Sequence, residues 1–410
     1  MRIEVVGGGP AGLYFAILMK RLDPAHEITV RERNRPDDTF GWGVVFSDET
    51  LGNFEEADPE THRAITGRFA YWTDIDIFFK GERIRSTGHG FAGIARREFL
   101  RILQERAAAL GVALRFETEV DPDRLPEADL VLAADGVNSR VRERFAEHFQ
   151  PSVDWRRCKF TWLGTDLRLE AFTFVFKENE HGLFQVHAYP FDERTSTFIV
   201  ECREEVWRRA GLDRADEAAT VAYLEDLFRE DLRGHRLLTN RSIWRTFPTI
   251  RNARWHHGNV ALIGDAAHTA HFSIGSGTKL AMEDAIALAS AFRRLGTADV
   301  PAALAEYEAE RMPIVGRFQS AAQTSLEWFE NSARHARHLD PLAFAFSLMT
   351  RSKRITYDNL GTRDPDLVAR VTDRFAATNP ARDAVAPAPA YAPAFPVAAR
   401  TAAAPPLFQP

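Results

Sequence analysis

Gly7-Gly8-Gly9-Pro10-Ala11-Gly12 lies between a short apolar run, Ile3, Val5 and Val6, and a stretch in which Phe15, Leu18, Met19 and Leu22 recur at helical spacing. Glycines placed between a buried strand and a helix can seat a pyrophosphate. Gly7 permits the tight turn, Gly9 lets the backbone approach the phosphates, and Gly12 allows close helix–strand packing. Pro10 and Ala11 open a helix whose amino terminus faces the negative charge. Residues 27–30 read as a second strand, and Glu32, about 20 residues past the last glycine, can hydrogen-bond an adenosine ribose. The glycines alone leave NAD and FAD both open.

Two later segments decide between them. Val131-Leu132-Ala133-Ala134 reads as a buried strand running into Asp135-Gly136, with Asn138, Ser139 and Arg140 behind it. Asn259-Val260-Ala261-Leu262-Ile263 is another, ending in Gly264-Asp265-Ala266-Ala267-His268 and leading through Gly275 and Gly277 into a helix over 278–295, opened by Thr278. A carboxylate at a strand end, Asp265, can hold a polyol chain, while the free N–H groups of the helix face an electron-rich ring edge. A flavin has both parts, so the expected cofactor is FAD, bound tightly and without a covalent link. The candidates to polarise a ring hydroxyl are His187 and Tyr189, on one face of a predicted strand, and His271, ahead of the flavin-side loop. For the first two, a place in the core with satisfied hydrogen bonds is the competing reading.

The three motifs, in this order, resemble those of the group A flavoprotein monooxygenases, the aromatic hydroxylases built like para-hydroxybenzoate hydroxylase, over about residues 1–375. The resemblance implies an α/β fold: a Rossmann-like FAD-binding domain with an inserted, mostly antiparallel substrate sheet and C-terminal helices. It implies that Glu32 and Arg33 join the glycines around the adenosine half, that Arg96 opens a helix over the cofactor, and that Gly43 and Val120 also line it. It assigns Asp135 to flavin and nicotinamide nucleotide binding. It further implies NADH or NADPH and O2 as co-substrates, with oxygen carried as a flavin C4a-hydroperoxide. Phe40-Gly41-Trp42-Gly43-Val44-Val45-Phe46-Ser47 and His271-Phe272-Ser273-Ile274-Gly275-Ser276-Gly277-Thr278-Lys279 look like a subgroup containing salicylyl-CoA 5-hydroxylase, the monooxygenase half of 2-aminobenzoyl-CoA monooxygenase/reductase and violacein-pathway indole hydroxylases. His271, Phe272 and Lys279 depart from the proline pair and asparagine of the broader family. The expected substrate is an aryl-CoA thioester of the salicylyl type. The alternatives are an indole or tryptophan-derived ring, or a flavin-dependent reductase of the same fold; a halogenase is disfavoured by the lack of a Trp-x-Trp-x-Ile-Pro run.

These sites require a divided chain. The expected units are a first FAD-binding part over 1–150, with a substrate-side segment at about 40–90, and a substrate-binding sheet over 151–250, where three segments alternate at period two. A second FAD-binding part over 251–300, helices over 301–375 and an Ala/Pro-rich disordered tail over 376–410 complete the division. The last residues, Pro405-Pro406-Leu407-Phe408-Gln409-Pro410, look like the start of a fused reductase half. Trp42, Phe46 and Phe272 are candidates to enclose a ring, and Arg63, Arg68, Lys80, Arg83 and Arg85 to receive coenzyme A phosphates. Across 410 residues the net charge of −6 gives no bulk attraction to nucleic acid or anionic membrane. Cys158 and Cys202 are the only cysteines, without ligand spacing, so no metal site is expected. With no apolar run of bilayer length and no leader pattern, a cytoplasmic enzyme is expected, its oligomeric state open.

Overall fold

The computed structural model describes residues 1–39 and 41–378, residues 47–51 by their backbone alone. Phe40 and the tail from 379 onward lie outside the described residues. The last helix, Pro365–Thr378, continues past the 376 boundary read from composition.

Parallel pairing organises the nucleotide end. Arg2–Val6 lies between Glu27–Arg31 and Leu130–Ala133, with Val260–Leu262 beyond the latter and Ala113–Arg115 beyond the former. The carboxyl ends of these strands carry Gly7, Glu32, Asp135 and Asp265 to one edge, where open α/β sheets bind ligands. The helix Pro10–Leu22 is buried continuously from Ala11 to Lys20, rather than on the single apolar face its spacing suggested. It packs against both Arg96–Ala109 and Gly277–Leu295 as well as the sheet, so no face is left for solvent.

An eight-stranded sheet provides the second layer, in the order Leu237–Leu238, Pro151–Thr165, Ser196–Arg203, Gly182–Pro190, Phe172–Asn179, Ile75–Phe79, Glu82–Ser86, with Arg245–Asn252 paired on Pro151–Thr165. It is antiparallel except where Phe172–Asn179 runs parallel to Ile75–Phe79. Register sets its inner face. Opposed residues share a face, so Gln185 opposite Glu201, His187 opposite Ile199 and Phe174, and Phe160 opposite Glu201 and Arg245 all point the same way. Cys158 and Cys202 are buried thiols in neighbouring strands of this sheet. A small third sheet, Gly43–Ser47, Phe91–Ala95 and Ala70–Trp72, joins the two layers.

C-terminal helices close the far side. Phe344 stacks on Phe79 with centroids 4.0 Å apart, and the Thr87 N–H donates to Asp364, tying the last helices to the strand end after Glu82–Ser86. Near this junction His89 is buried, its Nε2 2.8 Å from Ser86 Oγ, and loss of water together with the nearby Arg363 pushes its pKa from 6.5 down to about 4. The fold therefore favours neutral His89. Its contribution, about 3 kcal/mol, is complete above pH 6.5 and is lost as pH falls towards 4. His89→Gln should flatten the fall in melting temperature between pH 6.5 and 4; parallel wild-type and variant curves would refute this.

Candidate active site

One cavity of about 1190 Å³ runs from the opening glycines to the inner face of the large sheet. At its nucleotide end, Gly7 has φ of +108°, and a Cβ there would stand 2.3 Å from the Ala134 carbonyl oxygen, so only glycine makes this turn. A Cβ on Gly12 would meet the Gly7 oxygen at 2.5 Å, which explains the close helix–strand contact. Gly9 differs: a Cβ there would meet nothing within 4 Å and would project into the cavity it lines. Glu32 braces the loop, accepting from the Gly8 N–H at 2.8 Å and from the Asn34 N–H at 2.8 Å. Arg33 and Val120 line the same end.

At the middle of the cavity two opposite charges attract each other without an ion pair or side-chain hydrogen bond to either among the described residues. The Asp265 carboxylate is open to the cavity and receives no hydrogen bond among the described residues; its surroundings still push its pKa up through lost hydration. Arg96 lines the cavity with no ion pair among the described residues, and lost hydration pulls its pKa down. A polar ligand would supply what both lack. Asp135 accepts from the Val141 N–H at 3.3 Å, holding the turn into Arg140–Arg144, while its Oδ1 is buried without a partner. Gly43, Gly275, Gly277, Thr278, Pro10 and Ala11 also line the space; Gly12 stays behind it as packing.

Sequence reasoning did not single out the residue that holds the Gly264-Asp265 turn. Asp284, fully buried in Gly277–Leu295, accepts from the Gly264 N–H at 3.2 Å, His268 Nε2 at 2.7 Å and Arg311 Nε at 2.8 Å. Burial alone would raise its pKa, but His268 and Arg311 overcome that and hold it below the usual carboxylate range.

The far end is an aromatic chamber. Phe160, Trp162, Phe172, Phe247 and Phe272 line it, with His187 and Tyr189. Phe272 and His187 lie edge to face at 5.3 Å, and Phe272 sits 5.0 Å from Phe160. Several sequence expectations change here. Phe46 is core, packed on Phe54, Phe69 and Phe99, and Trp42 lies against Phe191. Tyr189 does line the cavity, but its hydroxyl donates to the Gly43 carbonyl at 3.0 Å. His271 lies off the cavity lining: its Nδ1 accepts from the Ser273 N–H at 3.3 Å and its Nε2 points at Glu201, 3.6 Å away. Lys279 turns to Glu283 and the Phe318 ring.

The arginines proposed for coenzyme A are elsewhere. Arg83 and Arg85 hold Asp76, Arg68 pairs with Glu98, and Arg63 and Lys80 reach main-chain carbonyls. The cations that line the cavity near the chamber are instead Arg156, Lys159, Arg241 and Arg245, together with the exposed Trp155 and Ile243.

A family described as an FAD binding domain matches residues 1–322. The chain belongs to this family. The flavoprotein is 48% identical over 383 residues to a salicyloyl-CoA 5-hydroxylase from a Streptomyces species, across 90% of this chain and 73% of that one. It is 38% identical over 364 residues to 3-hydroxy-4-methyl-anthranilyl-(aryl-carrier protein) 5-monooxygenase from Streptosporangium sibiricum, across 88% and 97% of the two chains. The solved 2-methyl-3-hydroxypyridine-5-carboxylic acid oxygenase superposes with a TM-score of 0.66, covering 86% of this chain and 97% of its own, at 21% identity, a likeness of fold. The expected cofactor and α/β fold are thereby borne out, and the chain is an FAD-dependent monooxygenase.

Proposed function

We propose that this flavoprotein hydroxylates the ring of an aryl-CoA thioester of the salicylyl type, drawing electrons from NADH or NADPH and oxygen from O2. The observation that carries the reading is the aromatic chamber continuous with the FAD cleft, on a chain 48% identical over 383 residues to an enzyme named for salicyloyl-CoA. Bound FAD, once reduced, supplies the activated oxygen that an electron-rich ring takes up.

The chain supplies position and a dry environment. Gly9 would give the pyrophosphate its approach, Glu32 and Arg33 would flank the adenosine, and Asp265 would take the ribityl hydroxyls. The amino terminus of Gly277–Leu295, which lines the cavity through Gly277 and Thr278, would favour negative charge on the ring system. The inner face of the eight-stranded sheet presents the substrate, with Phe160, Phe247 and Phe272 excluding water around it. Tyr189 and His271 act as supports, the first for the strand that begins at Gly43 and the second for the turn carrying Phe272. Lys159 and Arg245, beside Arg156 and Arg241 whose charges are already met by Glu330 and Asp38, give the cavity a cationic rim for the phosphates of a coenzyme A tail.

NADH consumption with salicylyl-CoA, 2-aminobenzoyl-CoA, free salicylate and tryptophan tests the reading. Stimulation by the thioesters is expected. Stimulation only by the free acid or by tryptophan would overturn the thioester assignment and leave the ring-hydroxylase assignment standing.

A further inference from the structure

Glu201 is 2% exposed on a sheet face that it shares with Phe160, Phe174 and His187. A carboxylate in such a place costs several kcal/mol unless its lone pairs are met. They are met by His187 Nε2 at 3.1 Å and Gln185 Nε2 at 2.9 Å, both on the neighbouring strand, with His271 Nε2 3.6 Å from the other oxygen. Burial alone would raise the Glu201 pKa; the two histidines reverse this and hold it at about 2. Glu201 is therefore ionised at neutral pH and can only accept hydrogen bonds.

That fixes the tautomer of His187. Its Nε2 must carry hydrogen to face the carboxylate, leaving Nδ1 with the free lone pair. Nδ1 is buried and hydrogen-bonds to nothing among the described residues, although the ring lines the chamber. His271 is fixed the same way round, since its Nδ1 accepts from the Ser273 N–H, so it has no lone pair to offer.

We infer that His187 is the base that takes the proton from the substrate's ring hydroxyl, and that Glu201 is the positioning residue that aims it. The inference rests on the aryl thioester reading and specifies how that site works. The O–H bond of the ring hydroxyl breaks, its electron pair stays on oxygen, and the proton forms a bond to His187 Nδ1. The imidazolium so formed lies against the Glu201 carboxylate, which offsets its charge. The phenolate donates into the ring, which is what attack on an electrophilic oxygen requires.

The charged or titratable groups facing His187 are Glu201, His271 and Arg351. Burial lowers its pKa, Glu201 opposes that, and His271 and Arg351 add to the lowering. Removing the Glu201 charge should therefore move the acidic limb of the hydroxylation profile, where His187 becomes protonated, to lower pH. Glu201→Gln keeps the shape while removing the charge, and its amide oxygen can still accept from Gln185 Nε2.

In the FAD-loaded enzyme, Glu201→Gln should lower kcat for salicylyl-CoA by about a hundred-fold and shift the acidic limb downward, with Glu201→Asp restoring the limb. A second readout needs no turnover: the phenolate absorbance of salicylyl-CoA bound to oxidised wild-type holoenzyme should be lost in Glu201→Gln and in His187→Gln. Turnover by wild type with an unmoved limb and an unchanged phenolate band in both variants overturns the inference and leaves the thioester reading intact. Failure of wild type to bind or oxidise salicylyl-CoA removes that reading, and the inference with it.

Discussion

A Gly9→Val variant should fold as the parent does and fail to retain flavin. Gly9 has φ of −76° and ψ of 176°, extended backbone that valine adopts readily, and nothing lies within 4 Å of where its Cβ would be. The new side chain would instead fill the space over the helix amino terminus that the FAD pyrophosphate needs. An affinity loss of at least about a hundred-fold is expected, equivalent to about 2.7 kcal/mol. Flavin titration and the melting temperature of the stripped protein measure the two sides separately. Normal FAD affinity would show that the phosphates lie elsewhere, whereas a collapse of the apoprotein would show that Gly9 is needed for the fold.

Asp265→Ala should split the stability of the two forms in opposite directions. Without FAD the carboxylate is held where lost hydration raises its pKa, and it accepts no hydrogen bond among the described residues. A group whose folded pKa is raised stabilises below its unfolded pKa and opposes folding above it, so at pH 7 the alanine apoprotein should melt higher than the parent. Loaded with FAD, the order should reverse, because a charged hydrogen bond worth about 1.5 to 3 kcal/mol is missing. Flavin should be released during dilute gel filtration. Full occupancy through the column would displace Asp265 from the ribityl assignment, whereas an apoprotein melting lower than wild type would show that its carboxylate is well hydrated in the empty cleft.

The nucleotide end was legible because its signals are local. Arg2–Val6, the glycine turn and Glu32 fall within one strand-turn-helix-strand unit, and Gly12 has its steric reason, the Gly7 oxygen, inside that unit. The chamber was less so. Pro151–Thr165 carries Asp154, Arg156, Arg157 and Lys159, which break the apolar alternation, yet it pairs on both sides and brings Phe160 and Trp162 to the pocket. Glu201 closed a recognised strand and went unremarked, since its partners are 14 and 70 positions away and meet it only through cross-strand register and the turn before Phe272. The choice of Phe46 over Phe160 and Phe247 failed for the same reason: in a chain with 30 phenylalanines, only tertiary packing says which ones face a cavity. Asp284 was hidden inside a helix whose apolar spacing explained it without needing a carboxylate.

Arg351 enters the fold just beyond the helix Pro341–Thr350, and donates to the Ser273 carbonyl at 2.7 Å, the Leu348 carbonyl at 2.6 Å and Ser325 Oγ at 2.9 Å. It rests over the Phe174 and Phe329 rings, with no carboxylate partner among the described residues, and lost hydration brings its pKa down to about 9. Ser273 belongs to the turn that carries Phe272. The chain's late helices are thus the foundation on which one wall of the reaction chamber stands, and a truncation before residue 351 would undermine that wall while leaving every lining side chain in the sequence.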